Sequence, residues 1–141
     1  MHMCMVAGAV ANGGVMMEPR LLARVESPTG VVRLKYSQKA YTKACTPEIA
    51  AKLDAYMKDV VKSGTGTQAQ VSGLTAAGKT GSAESSVDGK DVTHAWFVGY
   101  IADEEYPYAV SVLVEDGGSG GSVAAPIAGE IFAYLKRNAA Q

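Results

Sequence analysis

The sequence contains no apolar run near the roughly 20 residues that a membrane-spanning helix requires, and its opening Met1-His2-Met3-Cys4-Met5 lacks the basic start of a secretion signal. Any export or anchoring information is therefore expected to lie outside these 141 residues. An excess of either charge is also missing. Thirteen Lys and Arg stand against 14 Asp and Glu for a net charge of -1, and neither sign gathers in a run. That balance disfavours a sequence-independent hold on nucleic acid or on an acidic membrane surface. Cysteine is scarce: Cys4 and Cys45 lie far apart and belong to no Cys-x-x-Cys or Cys/His spacing. Neither a zinc site nor thiol redox chemistry is supported, and both thiols are expected to be packed or idle. The length suits one modest domain.

What is present switches between helical and strand periodicity. Residues 3–11 are small and apolar and stop at Asn12-Gly13-Gly14, the chemistry of a helix closed by a left-handed cap. Apolar all round, that helix is expected to be buried. Over 21–36, Val32, Leu34 and Tyr36 alternate with Arg33 and Lys35, and Ser27-Pro28-Thr29-Gly30 supplies turn residues. This reads as a hairpin with one wet face. Thr46-Pro47 starts a second helix, with the hydroxyl as cap and proline in the first turn. Its apolar stripe is Ile49, Leu53, Tyr56, Met57 and Val60, and it ends near Ser63-Gly64.

Strands are expected around 77–84, 95–102 and 108–115, the last two joined by a short link and hence antiparallel. Residues 95–101 are nearly all apolar, so both faces of that strand should be covered, with Trp96 as a core anchor. A closing helix over 125–136 carries Ile127, Ile131, Phe132 and Leu135 as its stripe. The piece Gly117-Gly118-Ser119-Gly120-Gly121-Ser122 is read as a loop within the domain.

Three motifs compete for overlapping residues. Gly73, Gly78, Lys79 and Thr80 satisfy G-x-x-x-x-G-K-[ST], and Val112-Leu113-Val114-Glu115-Asp116 could pass for the Mg²⁺-binding strand of a nucleotide site. A phosphate loop needs a buried strand before it and a helix N-terminus after it. Residues 68–72 make a poor buried strand, and Gly81-Ser82-Ala83-Glu84-Ser85-Ser86 offers no helix. Gly117, Ser119 and Gly121 satisfy G-x-S-x-G, but no histidine or aspartate follows Gly121, so a serine, acid, histidine order cannot be completed. The third motif is Lys79-Thr80-Gly81, which as a bare tripeptide says little.

Its surroundings make it specific. Residues 77–84 closely resemble the third signature of the penicillin-binding proteins. Ala11-Asn12-Gly13-Gly14 with Pro19 resembles the segment that follows their second signature, and Val60-Val61-Lys62-Ser63-Gly64-Thr65-Gly66 the helix end before the third. Downstream, residues 94–100 and 109–115 resemble the next two sheet strands, and Ala124-Ala125-Pro126 the start of the closing helix. The resemblance covers nearly the whole chain and is nearest to class B transpeptidases.

The resemblance implies an α/β (α+β) fragment of the transpeptidase fold, with antiparallel strands packed against helices that include the C-terminal one. It implies that Lys79 is a fixed charge in the cleft, that the Thr80 and Ser82 hydroxyls bind a substrate carboxylate, and that Gly81 lets a peptide approach closely. Lys79 and Ser82 are the catalytic candidates, the Ser82 backbone N–H being half of an oxyanion hole. His94 is expected to be a strand-end residue and not a base.

The nucleophile signature S-x-x-K and the second signature S-x-N occur nowhere in the chain. Residues 1–141 are therefore expected to be the C-terminal portion of such a domain, inactive alone. The implied parent is a peptidoglycan D,D-transpeptidase at the extracytoplasmic face of the bacterial membrane. Its expected partners are stem peptides, β-lactams, the upstream part of its own domain and division or elongation proteins; the fragment's exposed apolar face favours self-association. No metal or organic cofactor is implied. A carboxypeptidase or β-lactamase relative, a non-catalytic scaffold and a P-loop nucleotide binder remain as alternatives.

Overall fold

The computed structural model describes residues 1–138. Its centre is one long hairpin. Strands β5 (Ala76–Val87) and β6 (Lys90–Ile101) are joined only by Asp88-Gly89, whose φ angles of 51° and 75° are those of a two-residue hairpin turn. They run past the 77–84 and 95–102 expected from sequence because this turn leaves no unpaired connection. Strand β7 (Ala109–Val114) pairs antiparallel with the other side of β6, as the short link predicts, so the order is β5-β6-β7 and β5 forms an edge.

Registers of Thr80 with Phe97 and Gly81 with Trp96 assign the two faces. Gly78, Thr80, Ser82, Ala95 and Phe97 share one, and Ala77, Lys79, Gly81, Trp96, Val98 and Tyr100 share the other, because side chains alternate along each strand. Helix α3 (Ala125–Asn138) covers the first face, where Phe132 meets Phe97 edge-on with ring centroids 6.4 Å apart. Helix α1 (His2–Ala11) covers part of the second face, placing Ala7 against Ala77 and Tyr100. Gly13 and Gly14 close α1 at φ 60° and 91°.

Helix α2 (Pro47–Ser63) lies beside β5, started as expected by Thr46, whose hydroxyl accepts the Ile49 N–H. Asp54 ties it to the sheet. One carboxylate oxygen accepts the Tyr100 hydroxyl at 2.8 Å, and the other accepts the Lys58 ammonium at 2.7 Å. The Gln70 amide donates to the Val61 and Lys62 carbonyls and so satisfies the end of α2. Two small antiparallel pairs complete the fold: β1 (Val15–Met17) with β4 (Ala40–Lys43), and β2 (Arg24–Glu26) with β3 (Val32–Lys35).

Four expectations are corrected. Helix α1 buries only Ala7 and Ala9 and leaves Met1 and Met3 exposed, because the sheet reaches only one side of it. The β2–β3 hairpin has two wet faces, with Val25, Val32 and Leu34 all exposed. The inward sides of α2 and α3 follow the apolar stripes only in part: Phe132 is fully buried and Met57 packs on the core, as the stripes indicate, but other stripe residues do not. Ala50 and Val61 turn inward while Ile49, Leu53 and Tyr56 stay outside; Ala128, Gly129 and Phe132 turn inward while Ile127 and Ile131 stay outside. Small residues win these positions because the backbones approach closely: a Cβ on Gly129 would lie 2.8 Å from the Gln68 carbonyl oxygen. From Ala95 to Ile101, β6 is buried on the α3 face, but Trp96 and Val98 on the other face are half-exposed, so Trp96 is not a buried anchor.

Phe97 is fully buried, so Phe97→Ala should cost about 3–5 kcal/mol in urea denaturation. Burial and the neighbouring Asp54 carboxylate push the Tyr100 phenol well above its ordinary value. A group raised in the folded state stabilises it fully below the unfolded pKa, so this contribution is intact at neutral pH and is lost as pH rises past about 10. Tyr100→Phe should be less stable than wild type at pH 7, and the gap should narrow in denaturation curves measured above pH 10.

Candidate functional site

Lys79, Thr80, Gly81 and Ser82 lie on the edge strand β5, and alternation places them on opposite sides of that edge. Thr80 and Ser82 face the α3 side, and Lys79 faces the α1 side. A molecule lying along the free edge would therefore have the ammonium on one side and hydroxyls on the other. The four residues are consecutive in sequence, and what the structure adds is their division between the two sides of one edge strand.

Each is held differently. Lys79 is exposed; its ammonium donates to the Thr80 carbonyl and takes part in none of the four ion pairs among the described residues. Thr80 is 8% exposed, and its hydroxyl lies 2.6 Å from that of Thr65. Ser82 is exposed, and its hydroxyl accepts the Gly120 N–H at 3.3 Å. Gly81 is half-buried against Trp96.

A hollow of about 520 Å³ opens along this edge, walled by the end of α2 and by the glycine loop as well as by β5. Thr65, Thr67, Ser119 and Ser122 add hydroxyls to it, and Lys79 is the one charged residue in its wall. An uncompensated cation among hydroxyls suits an anionic group such as a carboxylate. A second, apolar hollow of about 290 Å³ lies on the other side of Lys79, walled by Met3, Trp96 and Val98.

The glycine loop packs on the site. Residues Gly120–Ala124 form a turn of π-helix that runs directly into α3, so the loop expected over 117–122 ends in helix. A Cβ on Gly120 would collide with the backbone carbonyls of Gly81 and Trp96, and one on Gly121 would lie 2.7 Å from that of Thr65. The loop's other end is tied by the Gly118 N–H to the Thr93 carbonyl and by the Asp116 N–H to the imidazole of His94. His94 thus serves the fold from inside β6, half-buried and not at the strand end where it was expected.

Both competing motifs lose their geometry. Lys79 and Thr80 sit inside a strand that continues to Val87, so no helix N-terminus follows to hold phosphate. Ser119 has φ -83° and ψ 126°, relaxed extended backbone and not a strained elbow. Thr65 and Ser122 are wall residues that reading the sequence did not single out, and Ser119 was singled out only as the serine of a rejected motif. Thr65 had a signal in its flanking glycines; Ser122 had none beyond a composition that reads as linker.

The sequence model of the penicillin binding protein transpeptidase domain matches residues 1–133. Peptidoglycan D,D-transpeptidase PbpA of Mycolicibacterium smegmatis is 33% identical over 128 residues, covering 86% of this chain and 26% of that protein. PbpA of Mycobacterium tuberculosis is 34% identical over 131 residues, again 86% and 26%. The ceftriaxone acyl-enzyme complex of penicillin-binding protein A from M. tuberculosis superposes with TM-score 0.85 at 30% identity, covering 94% of this chain and 31% of that one. The D,D-transpeptidase domain of an Eggerthella lenta peptidoglycan glycosyltransferase gives 0.82 at 31% identity, covering 95% and 31%. The chain spans about a quarter of the length of the curated relatives it matches.

Gly120→Ala should push the loop off β5 and cost about 1–3 kcal/mol in thermal or urea denaturation. Gly118→Ala, with nothing near its Cβ but φ 70°, should cost about 1 kcal/mol or somewhat more.

Proposed function

The chain belongs to the penicillin-binding protein transpeptidase family, and from that premise we propose that it is the substrate-binding side of a peptidoglycan D,D-transpeptidase. Residues 1–141 form the C-terminal portion of the catalytic domain, and the portion with S-x-x-K and S-x-N is supplied by a segment upstream of it. The observation that carries this reading is the placement of Lys79, Thr80 and Ser82 astride a free strand edge, with Lys79 the one charge among hydroxyls.

The proposed chemistry follows from that placement. A stem peptide pairs main chain to main chain along β5, as an added strand would. Gly81, with no side chain on the edge, allows that approach. The Thr80 and Ser82 hydroxyls donate to the terminal carboxylate. The Ser82 backbone N–H donates to the carbonyl oxygen as negative charge develops on it.

The upstream serine Oγ attacks the carbonyl carbon, and the bond to the terminal D-alanine breaks as its nitrogen takes a proton. An acceptor amine then displaces the serine from the acyl group, forming the cross-link. Lys79 holds positive charge beside that serine. The apolar hollow of Met3, Trp96 and Val98 is where the upstream segment packs, which brings its serine next to Lys79.

β-Lactams react at the same place, the serine opening the ring and keeping the acyl group; the ceftriaxone acyl-enzyme of the M. tuberculosis relative supports this. The substrate places the site at the extracytoplasmic face of the membrane. No helix among the described residues is long and apolar enough to cross a membrane, so anchoring falls to another segment.

Labelled penicillin should leave this chain unmodified by intact mass and should acylate the upstream serine once the chain is joined to a segment carrying both missing signatures. Lys79→Ala should slow that acylation about 100-fold or more. Labelling of the chain alone, or a folded joined protein that is not labelled, would overturn the proposal.

A further inference from the structure

We infer that Thr65 is a positioning residue that aims the Thr80 hydroxyl at the substrate carboxylate, an inference that rests on the transpeptidase reading above. The two hydroxyl oxygens are 2.6 Å apart, so one donates and the other accepts. Each hydroxyl has one hydrogen. When Thr80 spends its hydrogen on a carboxylate, the short contact to Thr65 is kept only if Thr65 donates into the Thr80 oxygen. The result is a chain running from Thr65 through Thr80 to the carboxylate, in which each donation polarises the next.

The surroundings hold Thr65 for this task. It lies in a glycine-flanked turn immediately after α2, where the N–H groups of Gly64 and Gly66 both donate to the Val60 carbonyl. A Cβ on Gly64 would lie 2.9 Å from Val60 Cα, so the turn folds back on the last helical residues with no room for a side chain there. From the other side Gly121 closes on the Thr65 carbonyl. The Thr65 backbone is thus clamped between α2 and the glycine loop, and its side chain is directed at β5.

The geometry also separates the two substrate hydroxyls. Ser82 accepts the Gly120 N–H, a fixed backbone donor, so its own hydrogen is free for substrate. Thr80 gains the same freedom only through Thr65. Loss of the Thr65 hydroxyl leaves Thr80 8% exposed without its partner and its hydrogen without a defined direction.

The test uses the chain joined to its upstream segment, with benzylpenicillin and its methyl ester as probes. The ester keeps the reactive ring and removes the carboxylate charge. The measurement is the second-order acylation constant. Thr65→Val, which keeps the shape and removes the hydroxyl, should slow acylation by the free acid about 10-fold or more. It should leave the ester within about two-fold, since the ester makes no charge-assisted bond to Thr80. Thr65→Ser should restore the free-acid constant to within about three-fold of wild type.

Equal loss for acid and ester would mean that Thr65 merely supports the fold, and it would overturn the inference, as would an unchanged free-acid constant in Thr65→Val. Normal ester acylation by Thr65→Val shows that the variant is folded. A wild-type joined protein that neither probe acylates would overturn the transpeptidase reading and the inference with it.

Discussion

The buried ring of Phe97 fills the space that side chains at Gly78 and Gly99 would otherwise occupy, and its edge meets Phe132 on α3. Two glycines side by side on neighbouring strands leave a flat depression in the sheet, and one aromatic side chain fills it. That packing sets how closely α3 approaches the sheet. The distance then dictates where the turn of π-helix before α3 must run, which is across the Gly81–Trp96 pair with no room for a Cβ at Gly120. The glycine loop reaches the functional edge because of a packing contact on the next register position.

The same alternation that buries Phe97 gives the site its two-sided character. Neighbours along a strand point to opposite faces, so Lys79 and Thr80 cannot both look toward α3. The hydroxyls face a wall built by this chain from the end of α2 and the glycine loop. The lysine faces an apolar hollow that this chain only partly encloses. On the proposed transpeptidase reading, the binding elements are assembled here and the nucleophile enters from the open side. On the same reading, the half-exposed Trp96 and Val98 and the exposed Met3 are the surface that the upstream segment covers.

Much of the element plan was legible because it rests on local chemistry. Thr46-Pro47 as a helix start and Asn12-Gly13-Gly14 as a helix stop act within one turn, and both appear as read. The antiparallel pairing of β6 and β7 follows from a connection too short to cross over. Asp88-Gly89 was an equally local hairpin signal, but the polar run of Ser85 and Ser86 before it masked how far the strands extend. Burial was harder to read. The apolar stripes of α2 and α3 were right at Met57 and Phe132 but wrong at Ile49, Leu53, Tyr56, Ile127 and Ile131, because close backbone approach, as at Gly129, gives much of the inward side to small residues.

For the site, the family was legible in the residues alone, through Lys79-Thr80-Gly81 and its ordered neighbours, and the four candidate edge residues came with it as an expectation. Short motifs survive in sequence because they demand particular side chains at consecutive positions. The rest of the wall depends on how distant segments pack. Thr65 lies 15 residues from Thr80, and the Gly120 N–H lies 38 residues from Ser82. Neither pairing has a local signature, because each depends on how α2 and α3 are seated against one edge strand, and that seating is set by glycines, alanines and the Phe97–Phe132 pair in the core between them.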